Sequence, residues 1–179
     1  MRRIITPVLV SMALTGCGAS EPTSLAGDTF PSPEPNAARH APAVPIAGSC
    51  VLTFNPPPMP PPPAFEQTDR GVCQLSHLGR TQLVGVQVIN FAAGTQSGSR
   101  TLTAANGDIL RATHVGTSAP QGPGRIGFVA TLTLTGGTGR FTNATGQLQA
   151  SGTADLATRT THVRLDGVIR YSASDRRAR

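Results

Sequence analysis

Eight stretches of alternating apolar and polar residues, separated by breaks rich in glycine and asparagine, constrain this chain more than any other feature. They run Cys50–Phe54, Gly71–Leu78, Thr81–Phe91, Gly98–Ala105, Asp108–Gly116, Arg125–Thr135, Thr145–Asp155 and Thr160–Tyr171. A period of two sends successive side chains to opposite faces of a sheet, so each stretch predicts a strand with one buried face. Asn106-Gly107 predicts a two-residue type I′ hairpin, whose two central positions both need positive φ. Gly94-Thr95-Gln96-Ser97-Gly98, Pro120-Gln121-Gly122-Pro123-Gly124 and Gly136-Gly137-Thr138-Gly139 mark further turns. The expectation is an all-β fold, a single eight-stranded antiparallel barrel, which closes on itself and has room for one small ligand. A two-sheet sandwich is the alternative.

Charge narrows the function classes. All 15 basic residues among the 179 are arginines. Arg2 and Arg3 stand at one terminus and Arg176, Arg177 and Arg179 at the other, which leaves the intervening chain nearly neutral. Nucleic-acid binding needs a basic stripe, with aromatics for single strands, and here the arginines are scattered singly. No nucleic-acid partner is expected.

The N-terminus is the most specific motif. Met1-Arg2-Arg3 precedes an apolar stretch, Ile4–Leu14, too short to span a bilayer as a helix, and Leu14-Thr15-Gly16-Cys17 follows. This resembles a bacterial lipoprotein signal with its lipobox. The resemblance implies cleavage before Cys17, lipid on its thiol and an acyl group on its new amine, an anchorage that several chains make stable. Gly18 in place of Asp favours an outer-membrane destination, on the periplasmic side or at the cell surface. The expected organisation is a signal peptide over 1–16, the lipidated Cys17 with a disordered Pro-rich tether over 17–46, a barrel over 47–172 and a basic tail over 173–179.

Lipidation of Cys17 leaves Cys50 and Cys73, and in an exported chain an even pair predicts a disulfide. A metal pair lacks the required spacing with histidine, so neither metal nor cofactor is expected. Between these cysteines lies a polyproline insertion over 56–63, which has almost no backbone donors and cannot form a strand. It is read as a stiff insertion between strands, with a docking ridge for a protein partner as the alternative.

Gly136-Gly137-Thr138-Gly139-Arg140-Phe141-Thr142-Asn143-Ala144-Thr145-Gly146 resembles the hairpin motif of the allene oxide cyclase and dirigent-like barrels. The similarity extends more faintly over Gly71–Tyr171. It implies an eight-stranded antiparallel barrel with an internal cavity, Phe141 plugging one end, and oligomers such as the trimers of related families. It supplies no catalytic residue: no position matches the carboxylate and asparagines of the cyclases or the acidic and arginine residues of dirigent proteins. No Asp or Glu is read as facing inward.

Strand faces give the candidate site. Ile126, Phe128, Ala130, Leu132 and Leu134 share one face, and Val163, Leu165, Gly167, Ile169 and Tyr171 another, with His162, Arg164, Asp166 and Arg170 outside. Leu110, Ala112 and His114 point inward, as do Cys73, Leu75 and His77, and Gln87 shares the parity of Leu83 and Ile89. His77, Gln87, His114 and Tyr171 are therefore the expected ligand-binding groups of an otherwise apolar interior. The leading expectation is a membrane-anchored barrel that binds a small apolar or amphipathic molecule, or serves the envelope without chemistry. The alternative is a cyclase-like or dirigent-like isomerase acting on a bound lipid or phenolic.

Overall fold

The computed structural model describes residues 42–58 and 60–171. Eight strands follow one another: β1 Val44–Phe54, β2 Ala64–Leu75, β3 Gly79–Asn90, β4 Thr95–Thr103, β5 Ile109–Pro120, β6 Arg125–Gly137, β7 Thr145–Asp155 and β8 Thr160–Arg170. Each pairs antiparallel with its neighbour in sequence, and β8 returns to pair with β1, so the sheet is a closed barrel and not a sandwich. The faces of β6 and β8 follow the alternation. Ile126 to Leu134 and Val163 to Ile169 turn inward at every second residue, and His162, Arg164, Asp166 and Arg170 turn outward.

Four strands start earlier than their apolar pattern, β3 and β4 by two or three residues and β1 and β2 by six or seven. β1 begins at Val44, taking in Pro45 and Ile46 from the stretch read as tether. Ile46 is only 1% exposed, and Pro45 sits beside the first residue of the strand, where a missing donor is tolerated. β2 begins at Ala64, not Gly71, because the inward positions Gln67 and Asp69 are polar and mask the period. Residues 1–16, Cys17, most of the tether and the 173–179 tail lie outside the described residues.

The proline-rich connection between β1 and β2 is irregular, as its lack of donors requires. Phe54 faces Asp69, so the first residues of β2 run past the end of β1 and pair with β3 alone. The connection is tied to this rim at both ends: Asn55 N–H donates to the Thr68 carbonyl at 3.2 Å, and Phe91 N–H to the Pro63 carbonyl at 2.9 Å. The β1–β2 ladder is the shortest in the barrel, and within it Cys50 and Cys73 stand in register and are disulfide-bonded. The β4–β5 turn differs from the type I′ expectation. Gly107 has φ +86° and Asn106 does not have positive φ, and Gly107 N–H donates to the Ala104 carbonyl. A single left-handed glycine after an ordinary turn suffices, and the Asn106 side chain instead accepts the Asp108 N–H at 3.2 Å.

The end of the barrel carrying the β2–β3, β4–β5 and β6–β7 turns is packed solid. A short 3-10 helix, Gly139–Phe141, inserts Phe141 as a fully buried plug. Tyr171 meets it edge-on at 5.4 Å, and the Arg140 guanidinium covers it at 4.6 Å. Ile46, Leu102, Leu110, Leu148 and Ile169 fill the layer above, each no more than 1% exposed. Burial of such side chains contributes roughly 1.5–3 kcal/mol apiece, which anchors one half of the barrel and leaves the other free to be hollow.

Candidate functional site

The opposite end, beside the polyproline connection, opens into a cavity of ≈ 80 Å³. Phe54, Phe65, Phe91, Phe128 and Leu156 surround the mouth, and Pro57 lines it from the polyproline segment. Ala130 and Ala150, cross-strand partners on β6 and β7, leave the space that larger side chains would fill. At ≈ 80 Å³ the cavity lies well below the few hundred Å³ typical of pockets for bulky ligands, so it suits a slim group.

Below the mouth lies a polar cluster assembled by two rows across the sheet. In one row Asp69 of β2, Gly85 of β3 and Arg100 of β4 are adjacent partners. A Cβ at Gly85 would collide with both the guanidinium and the carboxylate, so the glycine lets Arg100 reach across a strand to Asp69. In the next row Gln67, Gln87, Gly98 and His114 are successive partners, and a Cβ at Gly98 would collide with the Val86 carbonyl and the Gln87 backbone beside it.

The bonds connect the rows. Arg100 Nη1 donates to Asp69 Oδ1 at 2.5 Å and Arg100 Nη2 donates to Gln87 Oε1 at 2.7 Å. Gln87 Nε2 donates in turn to Gln67 Oε1 at 3.0 Å, and the Nε2 atom of His114 lies 3.2 Å from Gln87 Oε1. Arginine has no acceptor, so the Gln87 atom facing it must be the amide oxygen. That same oxygen faces His114 Nε2, which must therefore carry the ring proton. Nδ1 is fully enclosed within the cluster.

Burial sets the electrostatics. His114 is 3% exposed, and burial first, then the Arg100 charge, lower its pKa to about 4 against a hydrogen bond to the Gly98 backbone, which favours the charged form. The imidazole is neutral near neutral pH. Desolvation pushes the Asp69 carboxyl above the usual carboxylate range against the pull of Arg100, and lowers the Arg100 guanidinium despite Asp69. The cluster thus holds one ion pair of zero net charge in a mostly apolar funnel.

Gln87 and His114, two of the four residues expected inside, meet in this cluster. His77 does not: β2 ends at Leu75, and His77 is exposed in the following turn at φ +64°. Tyr171 does not either, because β8 ends at the closed end, where the ring packs on Phe141. The expectation that no acid faces inward is corrected by Asp69, 5% exposed. Asp69, Gln67 and Arg100 escaped the sequence reading, although counting back by twos from Cys73 and from Leu102 reaches all three.

Geometry defines the class as a one-ended antiparallel barrel with a polar cluster beneath an aromatic mouth. No family model matches the chain, and no curated protein matches it. Among solved structures, the pterocarpan synthase dirigent protein GePTS1 is similar at a TM-score of 0.46 and 15% identity, covering 80% of this chain and 100% of that one.

Proposed function

We propose that the barrel binds a small amphipathic molecule, its apolar part among the mouth phenylalanines and its polar end toward Gln87, Arg100 and His114. One observation carries this reading: half of the barrel is packed solid, whereas the other half is hollow above a buried ion pair. A barrel built only for stability would be filled with hydrocarbon, because replacing a buried ion pair with packed apolar side chains is often neutral or stabilising. Binding leads over catalysis because His114, with a pKa of about 4, is a weak base near neutral pH and Asp69 is engaged by Arg100. The isomerase reading draws its support from Asp69, a carboxyl perturbed by burial within a cleft. The test is uptake of an apolar fluorescent probe or copurification of a lipid, with Ala130→Phe expected to abolish either by filling the cavity while the far-ultraviolet spectrum is unchanged. Neither probe nor lipid on the wild-type protein would end this reading.

The lipobox supports export and anchorage of the barrel through Cys17 and the tether, and a disulfide suits an oxidising compartment. The polyproline segment, tied at both ends and contributing Pro57 to the mouth, serves this reading as a stiff rim. Fatty-acid labelling of the wild type and its loss in Cys17→Ser test the anchor.

A further inference from the structure

We propose that the polar end of the ligand is an uncharged carbonyl, as in a ketone, aldehyde or ester, whose oxygen accepts hydrogen bonds from the side-chain amides of Gln67 and Gln96. The inference rests on the amphiphile-binding reading and specifies the head group. Its first support is the direction of the hydrogen-bond chain. Arg100 has no acceptor, so its bond at 2.7 Å fixes Gln87 with the amide oxygen toward the guanidinium. Gln87 Nε2 then donates to Gln67 Oε1 at 3.0 Å, which leaves Gln67 with its amide nitrogen unbonded among the described residues. The chain starts at a cation, each link polarises the next, and it ends in N–H donors. Such an end requires an acceptor.

The second support is where the free amides lie. Gln67 and Gln96 are 9% and 8% exposed, and both line the cavity. Among the described residues, the side-chain atoms both sealed and unpartnered are His114 Nδ1 and Arg140 Nε, so the unbonded groups of the two glutamines are open to the cavity they line. Gln96 stands between Ile89 and Gly116, and the row continues through Ala130 to Ala150, so it borders the part of the wall where side chains are absent or small. A carbonyl oxygen has two lone pairs and can take one N–H from each glutamine, relieving the cost of leaving buried donors unpaired. Charge supplies the third support. Arg100 is already bonded to Asp69 and Gln87, and both pair members are almost enclosed, with side chains 12% and 7% exposed. A carboxylate head would bring a second anion to that guanidinium, and an ammonium head would set donor against donor. A hydroxyl would have to place its own proton where the Gln67 and Gln87 oxygens are already engaged. A carbonyl carries neither charge nor proton.

The experiment compares octan-2-one, octan-1-ol, octanoate, octylammonium and octane on the full chain at about pH 8, where the acid and amine are both ionised. Octan-2-one is expected to bind at least about tenfold tighter than either ion. Gln67→Leu should weaken octan-2-one by about two- to tenfold, the range of one hydrogen bond, and leave octane unchanged. Gln67→Glu keeps the bond from Gln87 but replaces the free donor with an acceptor, so octan-2-one should weaken and octylammonium gain. A measurement on the wild type needs no variant: the infrared carbonyl band of bound octan-2-one should move to lower frequency than in hydrocarbon, and the side-chain amide resonances of Gln67 and Gln96 should shift as it binds. Octanoate or octanol binding more tightly than octan-2-one, unchanged octan-2-one affinity in a folded Gln67→Leu, or a carbonyl band at its hydrocarbon frequency would each overturn the proposal. If octane, octan-2-one and an apolar probe all fail to bind, the amphiphile-binding reading itself falls.

Discussion

Protonation of His114 should set a step in the acid stability of the barrel. In the unfolded chain the imidazole titrates near its ordinary value of 6.5, and in the barrel burial and Arg100 lower this to about 4. Between these values the unfolded chain takes up a proton that the folded chain refuses, so falling pH favours unfolding. The stabilisation is complete above the unfolded value and is lost as pH falls through the folded one. A difference of 2.5 in pKa, 6.5 less 4, corresponds to about 3 kcal/mol at the ends of the window, with a slope of at most ~1.4 kcal/mol per pH unit. Asp69 acts in the opposite sense, because its raised pKa lets the folded state accept a proton early, and Arg100 stays charged throughout. The assay is therefore a subtraction: urea midpoints of wild type and His114→Gln are measured with the disulfide intact from pH 7.5 down to about pH 4. Glutamine keeps a donor for Gln87 but does not titrate, and the other histidines cancel between the two proteins. The stability advantage of the wild type over the variant should shrink by about 3 kcal/mol across that range. A constant gap would refute the argument, since it would mean that His114 ionises equally well in both states.

Gly85→Ala should destabilise the barrel by about 3–5 kcal/mol in chemical denaturation, because its methyl group separates Asp69 from Arg100 inside the barrel; a loss below about 1 kcal/mol would show that the pair can re-form elsewhere. Replacing both Asp69 and Arg100 with leucine should cost far less than replacing Arg100 alone, and equal losses would count against a coupled pair. Replacing Cys50 and Cys73 with alanine should lower stability by about 3 kcal/mol by the loop-entropy estimate, and thiol titration of the denatured, unreduced wild-type barrel should find neither thiol free.

The barrel was legible where strands obey the simple alternation of a half-buried sheet. In β6 and β8 the inward residues, Thr161 apart, are apolar or glycine, so both faces could be read directly. The site is harder to read for a related reason. Its strands turn polar groups inward, and in β2 the sequence Phe65-Glu66-Gln67-Thr68-Asp69 shows no apolar alternation beyond Phe65. The stabilising partner of Asp69 is 31 residues away, so its burial depends on a contact that local pattern does not encode. His77 errs in the other direction: it has the parity of Cys73 and Leu75, but the strand ends before it, and a turn cancels parity. His114 and Gln87 could be placed because their neighbours in β5 and β3 are plainly apolar on the same face.

The two glycine-spaced rows place the polar groups in the barrel wall, while the connections that follow β1, β3, β5 and β7 ring the mouth. Under the proposed binding, entry and head-group recognition thus fall to separate parts of the chain. Exchanging a connection would change which molecules get in without disturbing a single bond of the cluster. Exchanging one wall residue, such as Gln87, would rewrite the proton arrangement while the doorway stays the same. Two descendants of such a binder could therefore diverge in the molecule admitted and in the head group held by independent routes, neither requiring the other to move first.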